Sequence, residues 1–218
     1  MFKDRKEGGQ QLARVLRAYR DQQVLVLGIP RGGVETAYYV ATELHAELSL
    51  VVCRKLGYPF NPEAAFGAMA EDGSLFIFEE ARGQLPPEII QSIVSRERRE
   101  IARRIHKLRH DKPLPPIKGR TVILVDDGIA TGATLFAAIE LCRRQQAGKI
   151  IVAAPVSGHH VVHELKERCD EVVILTFPKN FFAVSQGYER FHDVDDETVI
   201  HLLDLWEDEH LVPVIEKR

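Results

Sequence analysis

Two adjacent carboxylates end a short apolar run near the middle of the sequence. The run at 122–125 leads directly into Asp126 and Asp127, and the chain continues through a loop of small residues to Thr134. Carboxylates in this position accept hydrogen bonds from a vicinal diol or bind a divalent cation. A turn from strand to helix also leaves backbone N–H groups free, and such groups bind phosphate. The segment therefore indicates a site for a phosphorylated sugar.

Glycines and threonines complete this segment. Gly128 and Gly132 permit tight turns and close backbone approach, and Thr131 and Thr134 supply hydroxyl donors for phosphate oxygens. The alternative is an ordinary turn, in which the acids face solvent and one threonine caps the helix. The order of apolar strand, acid pair, small loop and helix favours the binding site.

Short apolar runs alternate with helical patterns along most of the sequence. The runs lie at 24–27, 48–52, 121–125, 150–154 and 172–175. Their continuous apolar character indicates strands that are buried on both faces, as in a parallel sheet. Helical patterns cover residues 34–44, 134–145, 159–168 and 197–206. We therefore predict a three-layer α/β/α fold with a mostly parallel central sheet.

We predict that residues 1–218 form one domain with two additions to this core. Residues 56–116 interrupt the alternation and are expected to form an insertion, made of a hairpin with its second strand at 74–78 and a helix at 87–108. Residues 177–196 are expected to form a small C-terminal hood. In such sheets ligands bind beyond the carboxyl ends of the strands, which is where the hood would lie.

Composition argues against several classes of protein. The net charge of -3 and the pI near 6.3 give no overall basic field, so we expect no dedicated nucleic-acid binding. Cys53, Cys142 and Cys169 form no Cys-x-x-Cys motif and are predicted to be buried, reduced thiols. No run approaches the roughly 18 apolar residues of a membrane span. We therefore expect a soluble cytoplasmic protein.

Two polar patterns have simple structural interpretations. Residues 96–109 contain seven Lys or Arg and two Glu, so this segment either binds RNA or an anionic partner or, as we favour, forms the solvated face of a helix. His159 and His163 are four residues apart, but no third ligand has suitable spacing, so we predict no metal site there.

Residues 122–134 closely resemble the phosphoribosyl pyrophosphate signature of type I phosphoribosyltransferases. That signature consists of a hydrophobic strand, two acids and a small loop ending in Thr-Gly-x-Thr. The resemblance implies that Asp126 and Asp127 bind the ribose hydroxyls and hold Mg²⁺. It also implies that the loop wraps the 5-phosphate through Gly128, Ala130, Thr131, Gly132, Ala133 and Thr134.

A second motif, at residues 28–33, is similar to the pyrophosphate loop of that family. The similarity implies that Arg31 meets the leaving group, together with the backbone at Pro30, Gly32 and Gly33. The alternative is a simple helix entry, which an Arg-Gly-Gly turn alone would equally suggest.

A basic pair forms the third motif. Arg54 and Lys55, predicted to end the second strand, are similar to a pair that several members use against pyrophosphate. A solvated strand end is the alternative. Together with the other motifs, the resemblance makes Arg31, Lys55 and Asp127 the candidate catalytic residues.

The resemblance also bears on the acceptor and on the lid. The flexible catalytic loop of the family would correspond to residues 57–73, for which a surface hairpin is the alternative. Phe181 and Phe182 offer flat faces for a base, although packing of the hood is an equal alternative.

Members that use 6-oxopurines carry an acid where this chain has Ala130. The pattern is therefore more similar to that of adenine- or uracil-type members.

These features predict a Mg²⁺-dependent phosphoribosyltransferase that acts in nucleotide salvage. It would transfer ribose 5-phosphate from phosphoribosyl pyrophosphate to a nitrogenous base and release pyrophosphate. The family resemblance implies a homodimer. Two alternatives stay open: a non-catalytic sensor of phosphoribosyl pyrophosphate or nucleotide with a possible RNA contact, and an enzyme of the same fold that hydrolyses or rearranges the sugar phosphate.

Overall fold

The computed structural model describes residues 1–210, which form eight strands and six α-helices. In chain order they are α1 (Arg5–Val15), β1 (Leu25–Gly28), α2 (Gly32–Leu44), β2 (Glu47–Leu50), β3 (Cys53–Tyr58), β4 (Asn61–Ala70), β5 (Leu75–Ile77), α3 (Pro87–Arg109), β6 (Thr121–Val125), α4 (Ala133–Arg144), β7 (Lys149–Val156), α5 (His159–Arg168), β8 (Glu171–Thr176) and α6 (Asp196–His210). The predicted domain of residues 1–218 extends into 211–218, which lie outside the described residues.

Five of these strands form a parallel sheet at the centre of the fold. Their order is β2-β1-β6-β7-β8, and every neighbouring pair is parallel. Helices α1 and α2 pack on one face and α4 and α5 on the other, each against a buried apolar cluster. The continuous apolar runs are therefore explained by burial on both faces. The predicted three-layer α/β/α fold is confirmed.

The strand order places two loops side by side at a switch point. From β1 the chain crosses through α2 to β2 on one side, whereas β6 is followed by β7 and β8 on the other. Gly28 pairs with Val125, so the loops that follow β1 and β6 begin next to each other. A crevice opens where the winding direction reverses in this way, and ligands of open α/β sheets bind there.

The inserted segment forms a second sheet, which corrects two expectations. Strands β3, β4 and β5 pair antiparallel, so most of the segment predicted as a flexible loop is strand β4. The reason is burial, since Phe66, Ala68 and Met69 are at most 1% exposed. Arg54 and Lys55 do not end the second strand either. That strand stops at Leu50, and the basic pair lies inside β3, opposite β4.

Helix α3 carries the basic segment and packs against β3, β4 and α6. Ile93, Ile101 and Leu108 form its buried stripe. Most of its cations are held in ion pairs: Arg96 with Glu97, Arg103 and Arg104 with Glu100, Lys107 with Asp196, and Arg109 with Glu71. Paired cations favour a structural role for this face over RNA binding.

Two smaller expectations can be compared with the described residues. Cys53, Cys142 and Cys169 are buried and unpaired with one another, as predicted. Across residues 1–210, no helix combines the length and the apolar character that crossing a bilayer requires.

Candidate active site

The acid pair follows β6 and is fixed to the neighbouring strand. The Asp126 N–H donates to the Ala153 carbonyl at 3.2 Å, and the Ile129 N–H donates to the Val156 carbonyl at 2.9 Å. The Ile129 carbonyl in turn accepts from the Gly158 N–H at 3.2 Å. These bonds tie the loop to the end of β7, so its shape is set by the sheet before any ligand binds.

Gly132 makes the turn from this loop into α4. It is the N-cap of the helix and has a φ of 75°, in the left-handed region that favours glycine. The Phe136 N–H donates to its carbonyl at 2.9 Å, which is the first bond of the helix. The positive end of the α4 dipole therefore points into the loop, where it favours an anion.

A cleft of about 150 Å³ collects the predicted residues of this loop. Asp126, Thr131 and Thr134 line it, together with Gly128, Ile129, Ala130 and Gly132. Lys55 enters from the second sheet, and Val184 covers the cleft from the hood. One carboxylate, two hydroxyls, an ammonium and a helix N-terminus thus share one opening.

The electrostatics of the cleft disfavour the charged form of Asp126. Burial raises the pKa of the Asp126 carboxyl well above its usual value, and the negative charge of Asp127 adds to this effect. Lys55 counteracts the rise, but less strongly. A cation or a set of hydroxyl donors brought by a ligand would favour the ionised form.

Asp127 is held by a residue that the sequence interpretation missed. Its Oδ2 accepts a hydrogen bond at 2.7 Å from Nε of Arg5, whose side chain is buried. Its backbone carbonyl accepts a bond from the hydroxyl of Tyr188. The only sequence signal for Arg5 was a charged residue at the start of a helix, which is common on protein surfaces.

A second cavity of about 340 Å³ adjoins the cleft and shares Lys55 and Thr134 with it. Its other basic residues are Arg54 from β3 and Arg96 and Arg104 from α3. Arg54 donates through Nε to Glu97 at 2.9 Å, and Glu97 is almost fully buried. This cavity therefore offers a concentration of positive charge beside the acid loop.

The loop after β1 packs tightly against the acid pair. Pro30 lines the second cavity, and the Pro30–Arg31 peptide bond is cis. A Cβ on Gly32 would lie 2.0 Å from Oδ2 of Asp127, and one on Gly33 would lie 2.8 Å from the Val125 carbonyl. Glycine is thus required at both positions for steric reasons. The guanidinium of Arg31 is 3.7 Å from Asp196 and lines neither cavity.

The hood contributes less to the cleft than the aromatic residues suggested. Phe182 is 86% exposed, and Phe181 packs with Phe2 and Tyr188 in a small cluster beside the site. Val184 is the hood residue that reaches the cleft, in contact with Gly128. Sequence alone offered no reason to separate this valine from other apolar residues.

The donor set suits Mg²⁺ that is shared with a ligand. Within residues 1–210, no three His, Cys, Asp or Glu side chains are grouped to hold a metal, and His163 pairs with Glu167. Asp126 lines the cleft, whereas Asp127 has one oxygen taken by Arg5. Mg²⁺ is commonly bound by one or two carboxylates plus substrate phosphates. Asp126 is accordingly the better placed ligand of the two acids.

Replacing Gly132 with alanine should destabilise the protein and weaken phosphate binding. The left-handed backbone costs a non-glycine residue roughly 1–2 kcal/mol, and the new Cβ would lie 2.7 Å from Cγ2 of Val161. At about 2–4 °C per kcal/mol for a chain of this size, the backbone strain alone should lower Tm by about 2–8 °C, and the contact with Val161 should lower it further. Thermal unfolding and titration with phosphoribosyl pyrophosphate measure the two effects.

Gly119→Ala is the matched control for this substitution. Gly119 has the same φ of 75°, and a Cβ there meets no atom within 4 Å. It should cost only the backbone strain and leave ligand affinity unchanged. Equal loss of affinity in both variants would contradict the role given to Gly132.

Comparisons with known proteins identify the family of this chain. The model of the phosphoribosyl transferase domain matches residues 5–189. A Mycobacterium tuberculosis protein with the provisional name phosphoribosyl transferase is 41% identical over 206 residues. The match covers 94% of this chain and 46% of that protein, so this chain spans about half the length of its relative.

Solved structures show the same fold. The crystal structure of TT1426 from Thermus thermophilus has a TM-score of 0.81 and 39% identity, over 94% of this chain and 98% of that one. The AQ2163 protein from Aquifex aeolicus has a TM-score of 0.50 and 13% identity, over 79% of this chain and 74% of that one, which is a likeness of fold alone. The chain belongs to the phosphoribosyl transferase family and has the type I fold.

Proposed function

We propose that this chain transfers the ribose 5-phosphate group of phosphoribosyl pyrophosphate to a ring nitrogen of a base and releases pyrophosphate. The observation that carries the proposal is the single cleft in which Asp126, the loop before α4 and Lys55 meet. A phosphate, a diol and a second anionic group are the parts of phosphoribosyl pyrophosphate. The cleft and its neighbouring cavity offer a complementary group for each of them.

The loop and α4 bind the 5-phosphate in this proposal. Thr131 and Thr134 donate through their hydroxyls, and the free N–H groups at the start of α4 supply further donors. Asp126 and Asp127 accept hydrogen bonds from the ribose hydroxyls, and Asp127 does so through Oδ1, because its Oδ2 is bonded to Arg5. The 5-phosphate and the sugar are thereby held at opposite ends of the cleft.

The pyrophosphate leaves toward the cavity that carries Arg54 and Lys55. The bond from the anomeric carbon to the pyrophosphate oxygen breaks as the acceptor nitrogen attacks, and negative charge builds up on the leaving group. Fixed cations stabilise that charge most effectively in a site shielded from water. Lys55 lines both compartments, which supports a contact with the leaving group in this proposal.

Mg²⁺ completes the proposed site together with the substrate. When bound, it would neutralise charge on the pyrophosphate and polarise the breaking bond. Asp126 and the ribose hydroxyls would hold it. Arg31 reaches the leaving group only by giving up its 3.7 Å contact with Asp196, which an exposed side chain does at little cost.

The acceptor enters beside the hood. Val184 and Ala130 line this side of the cleft, and neither offers a carboxylate to a ring N–H. We therefore propose a base that needs no acid on the loop, in the manner of adenine or uracil rather than hypoxanthine or guanine. Phe181 and Phe182 remain candidates for contact with the base.

Replacing Lys55 with methionine should lower kcat/KM about 100- to 1000-fold, the usual loss for one donor to a developing charge. The assay measures pyrophosphate release from phosphoribosyl pyrophosphate and Mg²⁺ across a panel of bases, alongside titration of ligand binding. Lys118→Met is the control, because Lys118 is exposed and precedes β6 at the opposite end of the sheet. It should leave the rate unchanged.

The same experiment separates the remaining possibilities. Release triggered by one base would name the acceptor. Release without any base would indicate hydrolysis of the sugar phosphate. Binding without release would support the sensor, and absence of binding by the native protein would refute the proposal.

A further inference from the structure

Arg5 is an unusually enclosed charge for a residue so close to the N-terminus. Its side chain is 4% exposed, and its guanidinium lies 4.1 Å from the centre of the Phe191 ring. Nε donates to Oδ2 of Asp127 at 2.7 Å, and Nη1 donates to the His192 carbonyl at 2.8 Å. Buried charges are rare unless they are paired. The planar guanidinium of arginine can donate to both oxygen acceptors and stack on the Phe191 ring at the same time, which the ammonium group of lysine cannot do.

The guanidinium of Arg5 holds Oδ2 of Asp127 in place. Its planar fork contacts four groups at once, since Nη1 also lies 3.5 Å from Oε2 of Glu35, and this removes the rotational freedom that a lone ion pair would keep. The Asp127 side chain is 13% exposed, and its neighbour Asp126 lines the cleft. Gly32 adjoins both partners, and a Cβ there would lie 2.0 Å from Oδ2 of Asp127 and 2.9 Å from Nε of Arg5.

The N-terminal segment that carries Arg5 is bonded to the hood. The Phe2 N–H donates to the Gly187 carbonyl at 2.8 Å, and the Glu189 N–H donates to the Phe2 carbonyl at 2.8 Å. The N-terminal segment and the hood therefore form one backbone-bonded unit. His192 and Phe191 of the hood also contact Arg5. A change in the position of the hood would therefore move the guanidinium and, through it, the Asp127 side chain.

We propose that Arg5 is a positioning residue that orients Asp127 toward the ribose hydroxyls and couples this orientation to the hood that covers the acceptor. The inference rests on the proposed function. A substrate diol needs an acceptor oxygen in one place, and an aspartate that is free to rotate would lose entropy on binding. Arg5 removes that cost before the substrate arrives. It is not a catalytic residue, because Asp127 stands between it and the sugar.

A double-mutant cycle tests this role. The variants are Arg5→Met, Arg5→Lys, Asp127→Asn and the combination Arg5→Met with Asp127→Asn. Affinity for phosphoribosyl pyrophosphate with Mg²⁺ is measured by calorimetry, and Tm by thermal unfolding. Arg190→Met is the matched control, because Arg190 also joins the hood to the N-terminal segment, through Asp4 at 2.8 Å, but is 67% exposed and does not touch Asp127.

We expect Arg5→Met to weaken binding by about 10- to 100-fold, the usual loss for a partner that orients a ligating group. In the Asp127→Asn background the same change should have little further effect, because the group that Arg5 orients is already impaired. Arg5→Lys keeps the charge without the fork and should recover only part of the affinity. If Arg5→Met does not fold, Arg5→Lys carries the test.

Two results would overturn the inference. Equal loss of affinity from Arg5→Met in both backgrounds would show that Arg5 acts only through overall stability. Native affinity in a folded Arg5→Lys or Arg5→Met variant would show that Arg5 does not orient Asp127 for binding. Failure of the native protein to bind phosphoribosyl pyrophosphate would instead refute the proposed function, and the inference with it.

Discussion

Asp126→Asn should stabilise the ligand-free protein while weakening its binding of phosphoribosyl pyrophosphate about 10- to 100-fold. The loss of affinity corresponds to one charge-assisted hydrogen bond of about 1.5–3 kcal/mol. The gain in stability arises because the buried Asp126 carboxyl must either take up a proton on folding or carry a charge beside Asp127, whereas Asn does neither. Asn also retains the oxygen that accepts from the Asp127 N–H at 2.9 Å. Thermal unfolding and calorimetric titration of the two proteins measure both effects.

The gain in stability should depend on pH. Burial raises the pKa of Asp126 above its ordinary value of 3.8, so the folded state binds a proton that the unfolded state releases. This contribution to stability is fully present below pH 3.8 and is lost as pH rises through the folded pKa. The amide that replaces this carboxyl in the variant does not titrate. The difference in Tm between variant and native protein should therefore increase with pH and then level off.

The gain in stability of Asp126→Asn should match that of other single stabilising substitutions. Such changes commonly stabilise by about 0.5–2 kcal/mol, which corresponds to about 1–8 °C in Tm for a chain of this size. A lower Tm for the variant at neutral pH, or unchanged affinity, would contradict the placement of Asp126 in the ligand cleft.

Asp195→Asn provides a control of opposite sign. Hydrogen bonds from Thr198 lower the pKa of Asp195, so its contribution to stability is present above pH 3.8 and is lost as pH falls through the folded pKa. This variant should be less stable than the native protein at neutral pH. Both substitutions replace one carboxylate oxygen by an amide nitrogen. If both variants were more stable than the native protein, or both less stable, the change in stability would have a cause other than titration of the carboxyl.

The central sheet and the acid loop could be predicted because their signals are local. Each parallel strand is an apolar run, and the loop from Asp126 to Thr134 carries its own turn residues. The acid pair, the glycines and the threonines lie where the sequence indicated, at the carboxyl end of β6. Their position at the switch point follows from strand order, which the alternation of strands and helices restricts strongly.

The remaining features depend on contacts between distant parts of the chain. Arg5 and Asp127 are 122 residues apart, and no periodicity links them. Arg54 and Lys55 were misplaced by one strand because the sequence does not reveal that the chain leaves the parallel sheet after Leu50. Glu71 stabilises the chain at the point where it leaves the parallel sheet. Its carboxylate accepts a hydrogen bond at 2.8 Å from the N–H of Val52, which lies 19 residues earlier in the sequence.

Glu71 also forms a buried ion pair that joins the insertion to the central sheet. Its Oε1 accepts from Nη2 of Arg109 at 2.6 Å, and the two side chains are 8% and 5% exposed. Nη1 of Arg109 donates to the Leu50 carbonyl at 3.0 Å. The end of α3, the end of β4 and the end of β2 thus meet at one pair of charges.

Glu71→Ala should lower the free energy of unfolding by about 3–5 kcal/mol, because it leaves the Arg109 guanidinium buried without a counter-charge. At about 2–4 °C per kcal/mol, Tm should fall by about 6–20 °C. Neither Glu71 nor Arg109 lines the cleft or the adjoining cavity, so the folded variant should bind phosphoribosyl pyrophosphate normally at low temperature. Denaturant unfolding and calorimetric titration measure the two quantities.

Two further variants separate the buried charge from ordinary loss of contacts. Glu71→Leu with Arg109→Met removes both charges and should be closer to the native protein than Glu71→Ala, because replacing both partners of a buried pair by apolar groups is often neutral. Glu207→Ala breaks the exposed pair with Lys112 nearby and should cost only about 0–1 kcal/mol. If Glu71→Ala were as mild as Glu207→Ala, the buried pair would contribute no more stability than an exposed one, and the packing of β2, β4 and α3 would hold the insertion in place.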